Sequence, residues 1–238
     1  MKKKISFIIV LAVHTLCAFM LVWLSTDTYN GVQFNHNYGI LVFCTLEFVA
    51  LSLLMKNRED CLFFDNNIIR LTRISSRRKA TCIEILKICT TVLIVEIFKI
   101  ALTALFSILL GKLITFKGIM LLFALELFVK LILMLIQFAL ELISSYNFSF
   151  LIICISFLLL LLIGTAIYLF TTENPEAAIT PILRIINKYN LINYISPYRA
   201  KLLCTATLQP LAAIMALNLL QIVILVFSSK KVNILPKE

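Results

Sequence analysis

The sequence predicts an all-α membrane protein with six transmembrane helices, and three observations point to that fold class. First, 61% of the 238 residues are apolar and 14% are charged, with a mean hydropathy of +1.02. A soluble domain is about 45–50% apolar and about 25% charged. Second, the apolar residues form six long runs. Third, Lys and Arg are more numerous in the termini and connections on one side of the expected membrane than in those on the other side. These observations exclude a water-soluble domain and a disordered chain.

Each of the six runs is long enough to cross a bilayer, which takes roughly 20 apolar residues in a helix. The runs cover residues 5–24, 39–55, 80–110, 118–143, 150–170 and 211–227. The stretch from Phe157 to Ile163 is apolar throughout, whereas a barrel strand would alternate polar and apolar residues. The first run exceeds the about 7–15 residues of a signal-peptide core, so we expect an uncleaved helix. Residues 1–238 are therefore predicted to form one transmembrane domain.

The distribution of Lys and Arg predicts the orientation. With both termini in the cytoplasm, the inner side holds thirteen basic residues and the outer side holds six. Cytoplasmic loops carry an excess of Lys and Arg, so we expect an N-in, C-in protein. Topology thus accounts for the net charge of +10, and no nucleic-acid partner is expected.

Polar and charged side chains inside the predicted spans are the first candidate site. On the fourth span Glu126, Lys130, Gln137 and Glu141 fall within an arc of roughly 60°, since each helical residue turns about 100°. Such a stripe must face protein or water, because a charge at the bilayer centre costs about 2.5–3.5 kcal/mol. The full set, which we call the intramembrane polar seam, comprises Glu47, Glu96, Lys99, Glu126, Lys130, Gln137 and Glu141.

The pairing of these charges can also be predicted. Glu84 with Lys87, and Glu96 with Lys99, are spaced i, i+3 and could pair locally. Glu47 has no partner on its own helix, so we expect Lys130 or Lys99 as its counter-ion. The polar seam is interpreted either as a transport path or proton relay, or as structural ion pairs that fix helix packing.

The long connections between spans provide a second candidate. The inner connection, residues 56–79, is strongly basic and predicts a short surface helix that binds either anionic lipid or a cytoplasmic partner. The residues expected to form it are Ile68, Ile69, Arg70, Arg73, Arg77, Arg78 and Lys79. The outer connection, residues 171–209, has apolar residues at helical spacing. They predict either two short amphipathic helices on the membrane surface or a re-entrant hairpin.

Catalytic and metal-binding motifs are not found in the sequence. Only two histidines occur, His14 and His36, so an HExxH zinc helix is excluded. Gly111-Lys112 is not followed by Ser or Thr and does not form a P-loop. The seven cysteines include no CxxC pair, so neither a disulfide framework nor a zinc site is expected. We therefore predict no catalytic residue, no metal and no bound cofactor, and the chain is not expected to be an enzyme.

The six spans, the basic inner segment and the short outer helices together resemble a permease subunit of type 2 ABC transporters. The resemblance is to the small Gram-positive permeases for peptide export or bacteriocin immunity, and it covers nearly the whole chain. Within it, Ile68-Ile69-Arg70 and Ser76-Arg77-Arg78-Lys79 match the coupling helix that docks on the ATPase. The match rests on architecture rather than on a sequence motif.

The resemblance implies a multi-pass protein of a bacterial cell membrane that exports a peptide or a hydrophobic antimicrobial compound. It implies a separate cytoplasmic ABC ATPase that binds ATP and Mg²⁺, and a second permease, identical or different. The alternatives are a stand-alone secondary transporter or a membrane-integrated immunity protein. Either would use Glu47, Glu126 and Lys130 as a proton or substrate site.

Overall fold

Seven α-helices and one 3₁₀ helix make up the described part of the chain, a computed structural model in which residues 2–24, 38–56, 77–113, 116–195 and 208–228 are described. In chain order the α-helices are α1 (Lys2–Trp23), α2 (Tyr38–Lys56), α3 (Arg77–Leu109), α4 (Phe116–Ile143), α5 (Tyr146–Glu173), α6 (Thr180–Lys188) and α7 (Leu208–Ser228). The 3₁₀ helix, η1, spans Leu191–Ile195 and lies between α6 and α7.

Five of the helices are long and apolar enough to cross a membrane: α1, α3, α4, α5 and α7. Helix α2 has 19 residues, which is close to the span length of roughly 20 residues. The chain is therefore a helical, multi-pass membrane protein. The second of the six predicted spans corresponds to α2 and is not among these five helices.

The helices extend beyond several of the predicted spans. Helix α3 begins at Arg77 rather than at residue 80, and α5 runs from Tyr146 to Glu173 rather than from 150 to 170. Hydropathy marks only the apolar part of a helix, whereas the backbone hydrogen bonds continue into polar residues. Gly111, with φ +67°, follows the end of α3, where the Lys112 N–H donates to the Ser107 carbonyl at 2.8 Å.

Helix α4 lies at the centre of the bundle. It packs against α2, α3, α5, α7 and η1, while α1 packs against α2 and α3. Apart from the stripe that contains Glu126, Lys130, Gln137 and Glu141, its sequence is apolar, as expected for a helix surrounded by other helices. On the face toward α7, Asn218 and Gln221 donate hydrogen bonds to the Phe128 and Ile132 carbonyls of α4, at 3.0 and 3.2 Å.

Two side-chain contacts show which helix ends share a side of the bundle. The Arg78 guanidinium lies over the Phe227 ring at 5.0 Å, which brings the start of α3 beside the end of α7. The Lys56 ammonium lies over the Phe150 ring, also at 5.0 Å, which brings the end of α2 beside the start of α5. The basic residues at the start of α3 therefore lie on the same side as the end of α7.

Residues 174–195, which belong to the predicted outer connection, fold back along α5 instead of lying only at its end. Asn190 donates a hydrogen bond to the Leu160 carbonyl at 2.7 Å, and Asn187 donates to the Gly164 carbonyl at 3.3 Å. Leu160 lies 13 residues before the end of α5, about 20 Å along the helix. This depth favours the re-entrant hairpin over two surface helices. We call residues 180–195 the outer hairpin.

The outer surfaces of α3, α5 and α7 are apolar. Their exposed side chains include Leu93, Ile97, Leu159, Leu162, Leu220 and Ile224. A soluble protein rarely exposes apolar area on this scale, and lipid or a neighbouring membrane protein would cover it. The polar side chains described next are turned to the opposite side, into the bundle.

Candidate functional site

A group of charged side chains lies buried where the first four helices meet. It consists of His14 on α1, Glu47 on α2, Glu96 and Lys99 on α3, and Glu126 and Lys130 on α4; we call it the ionic cluster. All six residues are at most 2% exposed. His14, Glu47, Glu126 and Lys130 lie near the midpoints of their helices, and Glu96 and Lys99 lie just beyond the midpoint of α3. The ionic cluster is therefore near the middle of the predicted membrane.

Lys99 joins helices α2 and α4. Its Nζ donates hydrogen bonds to Glu47 Oε2 at 2.8 Å and to Glu126 Oε2 at 2.7 Å. An ammonium group removed from water needs such partners, since its desolvation costs several kcal/mol. Two carboxylates from different helices thus depend on one lysine.

Lys130 joins α2 and α3. It donates to Glu47 Oε2 at 3.0 Å and to Glu96 Oε1, and its Nζ lies 3.9 Å from Glu126 Oε2 on its own helix. Glu47 Oε2 therefore accepts from both lysines. Charge-assisted hydrogen bonds of this kind link the five side chains of Glu47, Glu96, Lys99, Glu126 and Lys130 in one arrangement.

His14 completes the ionic cluster from α1. Its Nδ1 lies 2.8 Å from the Val10 carbonyl. A carbonyl oxygen only accepts, so Nδ1 carries the proton. The other ring nitrogen, Nε2, lies 3.9 Å from Glu47 Oε1. Among the described residues neither of these two atoms has a hydrogen-bond partner.

A second polar group lies further along α4. The Ser52 hydroxyl donates to Gln137 Oε1 at 2.7 Å, and Gln137 Nε2 donates to the Ser52 carbonyl at 3.2 Å and to Glu141 Oε1 at 3.1 Å. Gln137 lies seven residues beyond Lys130, about 10 Å along the helix. We call Ser52, Gln137 and Glu141 the amide group.

The polar seam predicted from sequence is therefore buried as expected, but it divides in two. Glu47, Glu96, Lys99, Glu126 and Lys130 come together in the ionic cluster, and Gln137 and Glu141 belong to the amide group. Both expected counter-ions of Glu47 contact it, and the local pair Glu84–Lys87 is present at 2.7 Å. Glu96, predicted to pair with Lys99, binds Lys130 across the helix interface.

The predicted partner-docking segment is described only in part. Ile68, Ile69, Arg70 and Arg73 lie outside the described residues. Arg77, Arg78 and Lys79 form the first turn of α3, and the side chains of Arg77 and Lys79 are exposed. The structure thus places the three at a helix start and not on a separate helix.

Two residues of these groups were not predicted from sequence. They are His14 of the ionic cluster and Ser52 of the amide group. A histidine at the midpoint of a largely apolar span was the available signal for His14. Ser52 gave none, because a serine can satisfy its hydroxyl on its own helix.

The charges of the ionic cluster can hold a proton or fix the orientation of the helices. Among the described residues, the His, Cys, Asp and Glu side chains form no group of three suited to a metal ion. Comparison of the chain with protein-family models, with curated proteins and with solved structures finds no match. Function must therefore be argued from the chain itself.

Proposed function

We propose that the chain is the membrane-spanning subunit of an ATP-driven transporter, similar to type 2 ABC permeases, with six spans and both termini in the cytoplasm. Its cargo would be a peptide or another hydrophobic or antimicrobial compound, exported for resistance or self-immunity. A separate ATPase would supply the energy, and a second permease would complete the transport path.

The length of α3 is the observation that carries this proposal. Its 33 residues extend about 50 Å, whereas the hydrocarbon core is about 30 Å thick. The first turn carries Arg77, Arg78 and Lys79 and follows the basic inner segment, so a cytoplasmic protein could bind there. A helix continuous from this turn to the ionic cluster would transmit a push from that protein into the bundle.

A pocket beside the outer hairpin suits an apolar cargo. It has a volume of about 250 Å³ and lies between η1 and α7, with Tyr194, Ile214 and Leu217 among its walls and Lys188 at its edge. Apolar walls with few polar groups are typical of small-molecule sites.

Charge reversal at the start of α3 tests the proposal. The variant Arg77→Glu with Lys79→Glu is expected to abolish ATP-dependent export from cells or inverted vesicles that contain the ATPase, because the docking charge is inverted. The control Lys112→Glu with Lys117→Glu changes the net charge equally near the opposite end of α3 and should retain export. Export by the purified chain alone, without an ATPase, would contradict the proposal.

The ionic cluster favours a second candidate, a proton-coupled transporter or a membrane-integrated immunity protein that uses Glu47, Glu126 and Lys130. Intramembrane carboxylates and lysines often serve as proton sites in transporters. For this candidate, transport by the reconstituted chain should follow an imposed pH gradient and require no ATP. A requirement for ATP would reject it.

A further inference from the structure

The charges of the ionic cluster do not balance. Glu47, Glu96 and Glu126 carry three negative charges when they are ionised, and Lys99 and Lys130 carry two positive charges. Among the described residues these glutamates form ion pairs only with the two lysines and His14. One negative charge is left near the middle of the bundle, where it costs about 2.5–3.5 kcal/mol even on a lenient scale. One added proton would neutralise it.

The geometry of His14 and Glu47 provides a place for that proton. His14 Nε2 and Glu47 Oε1 face each other at 3.9 Å. With Nδ1 protonated, a neutral imidazole presents a lone pair to the carboxylate, which is repulsive. A proton on Nε2 would convert this contact into a charge-assisted hydrogen bond, with only a small approach of the two side chains.

Two other carboxylate oxygens in the cluster have no hydrogen-bond partner in the described part of the chain, Glu96 Oε2 and Glu126 Oε1. His14, the only histidine among the described residues, lies within 4.0 Å of neither of them. The contact between His14 and Glu47 is different because it offers a donor position and an acceptor together.

The other groups packed around His14 are compatible with this assignment. The charged groups that act on His14 are Glu47 of α2, Glu96 and Lys99 of α3, and Lys130 of α4. The lysines are already bound to carboxylates, so Glu47 Oε1 is left to accept from His14.

We propose that the ionic cluster binds one proton, held between Nε2 of His14 and Oε1 of Glu47, so that His14 is an imidazolium inside the folded bundle. The site is specific for a proton because its two facing atoms belong to an imidazole and a single carboxylate. The proposal deepens the second candidate function. Its test uses purified protein without transport, so it can fail or succeed independently of that function.

Nitrogen NMR of His14 is the direct test. The chain has only two histidines, so His36→Gln leaves a single ¹⁵N-histidine in protein reconstituted in lipid nanodiscs. Both ring nitrogens of His14 should show the shifts of protonated imidazole nitrogens at pH 7. An unprotonated Nε2, which resonates far downfield, would overturn the proposal.

Charge-neutralising variants provide the second part of the test. Glu47→Gln balances the remaining charges at zero, so His14 should lose its Nε2 proton, and Glu126→Gln should act in the same direction if the first variant fails to fold. The control Glu141→Gln removes a buried carboxylate about 16 Å beyond Lys130 along α4. It should leave the His14 signal unchanged. Retention of the Nε2 proton in a folded Glu47→Gln protein would contradict the assignment.

Infrared spectra and salt titrations address the other occupants. A protonated-carboxyl band at pH 7 that disappears in Glu126→Gln would place the proton on that glutamate and overturn the proposal. Loss of the Nε2 proton on addition of Na⁺ or K⁺ would show that the site takes a metal cation instead. We expect neither result.

Discussion

At the scale of single residues, the lysines of the ionic cluster matter because each one neutralises carboxylates from more than one helix. Lys99 is 0% exposed and binds Glu47 and Glu126. A buried ion pair adds little net stability, but removing one partner leaves an uncompensated charge. The energetic effect of a substitution therefore depends on whether the charge count is kept.

We expect Lys99→Met to destabilise the bundle by about 3–5 kcal/mol, the usual cost of breaking a buried pair. Adding Glu126→Gln should recover most of that loss, because the net charge of the ionic cluster returns to its original value. Thermal unfolding in detergent measures both effects. The control Lys188→Met, at an exposed lysine of α6, should shift the midpoint far less. An equal shift would contradict the role assigned to the charge balance of the ionic cluster.

The sequence predicted the membership of the ionic cluster better than its geometry. A charge inside an apolar span is costly wherever it points, so Glu47, Glu96, Lys99, Glu126 and Lys130 stand out without any structure. Their pairing depends on the rotation and depth of four helices, which periodicity on one helix does not report. Glu96 illustrates this, since its i, i+3 neighbour Lys99 was expected but Lys130 of α4 binds it.

At the scale of elements, the outer hairpin is held against α5 by three asparagines. Asn193 donates to both the carbonyl and the side-chain oxygen of Asn187 at 2.8 Å, while Asn190 and Asn187 bind carbonyls of α5. These bonds require close approach at Gly164, where an added Cβ would lie 2.6 Å from Asn190 Nδ2 and 3.1 Å from Asn193 Oδ1.

The variant Gly164→Ala should therefore displace the outer hairpin. The Asn190 side chain cannot move aside freely, because it also accepts from the Ile192 N–H. We expect faster trypsin cleavage after Arg184 and Lys188 in the intact protein. The control Ala166→Ser adds one heavy atom on an exposed face of α5 and should leave the cleavage rate unchanged, as should Gly164→Ala if the hairpin does not pack as described.

The hairpin also marks a limit of sequence analysis. Apolar residues at helical spacing fit both a surface helix and a re-entrant hairpin, since Ile182 and Ile185 are exposed in either case. Only the hydrogen bonds from Asn187 and Asn190 to the backbone of α5 favour the hairpin, and asparagine in a loop is unremarkable in a sequence.

At the scale of the whole molecule, the orientation can be tested with the native cysteines. Cys82 lies near the start of α3 and is exposed, whereas Cys17 and Cys44 are buried. A variant that keeps only Cys82 should react with a membrane-impermeant maleimide in inverted vesicles but not in intact cells. A variant with Lys112→Cys as its only cysteine, at the other end of α3, should show the reverse. Reaction of Cys82 from outside would contradict the N-in, C-in orientation.

Composition was sufficient to predict the fold class. It was not sufficient to predict how the helices are arranged, with α4 at the centre of the bundle. Helices α4, α5 and α7 are similarly apolar, and nothing in their hydropathy distinguishes a lipid-facing helix from a surrounded one. The side chains that settle the order are Asn218 and Gln221, which bind carbonyls of α4 about 90 residues earlier in the chain. Pairings at such separation cannot be read from local patterns.

The distribution of the ionic cluster among four helices also bears on biogenesis. Helices α3 and α4 each carry both a glutamate and a lysine, so each can enter the bilayer with its charges partly compensated. Helix α2 has no basic residue near Glu47, since Lys56 lies in its last turn. The two lysines that bind Glu47 are synthesised at least 50 residues later. We therefore expect α2 to stay beside the insertion machinery, or its carboxylate to stay sheltered, until α3 has been synthesised.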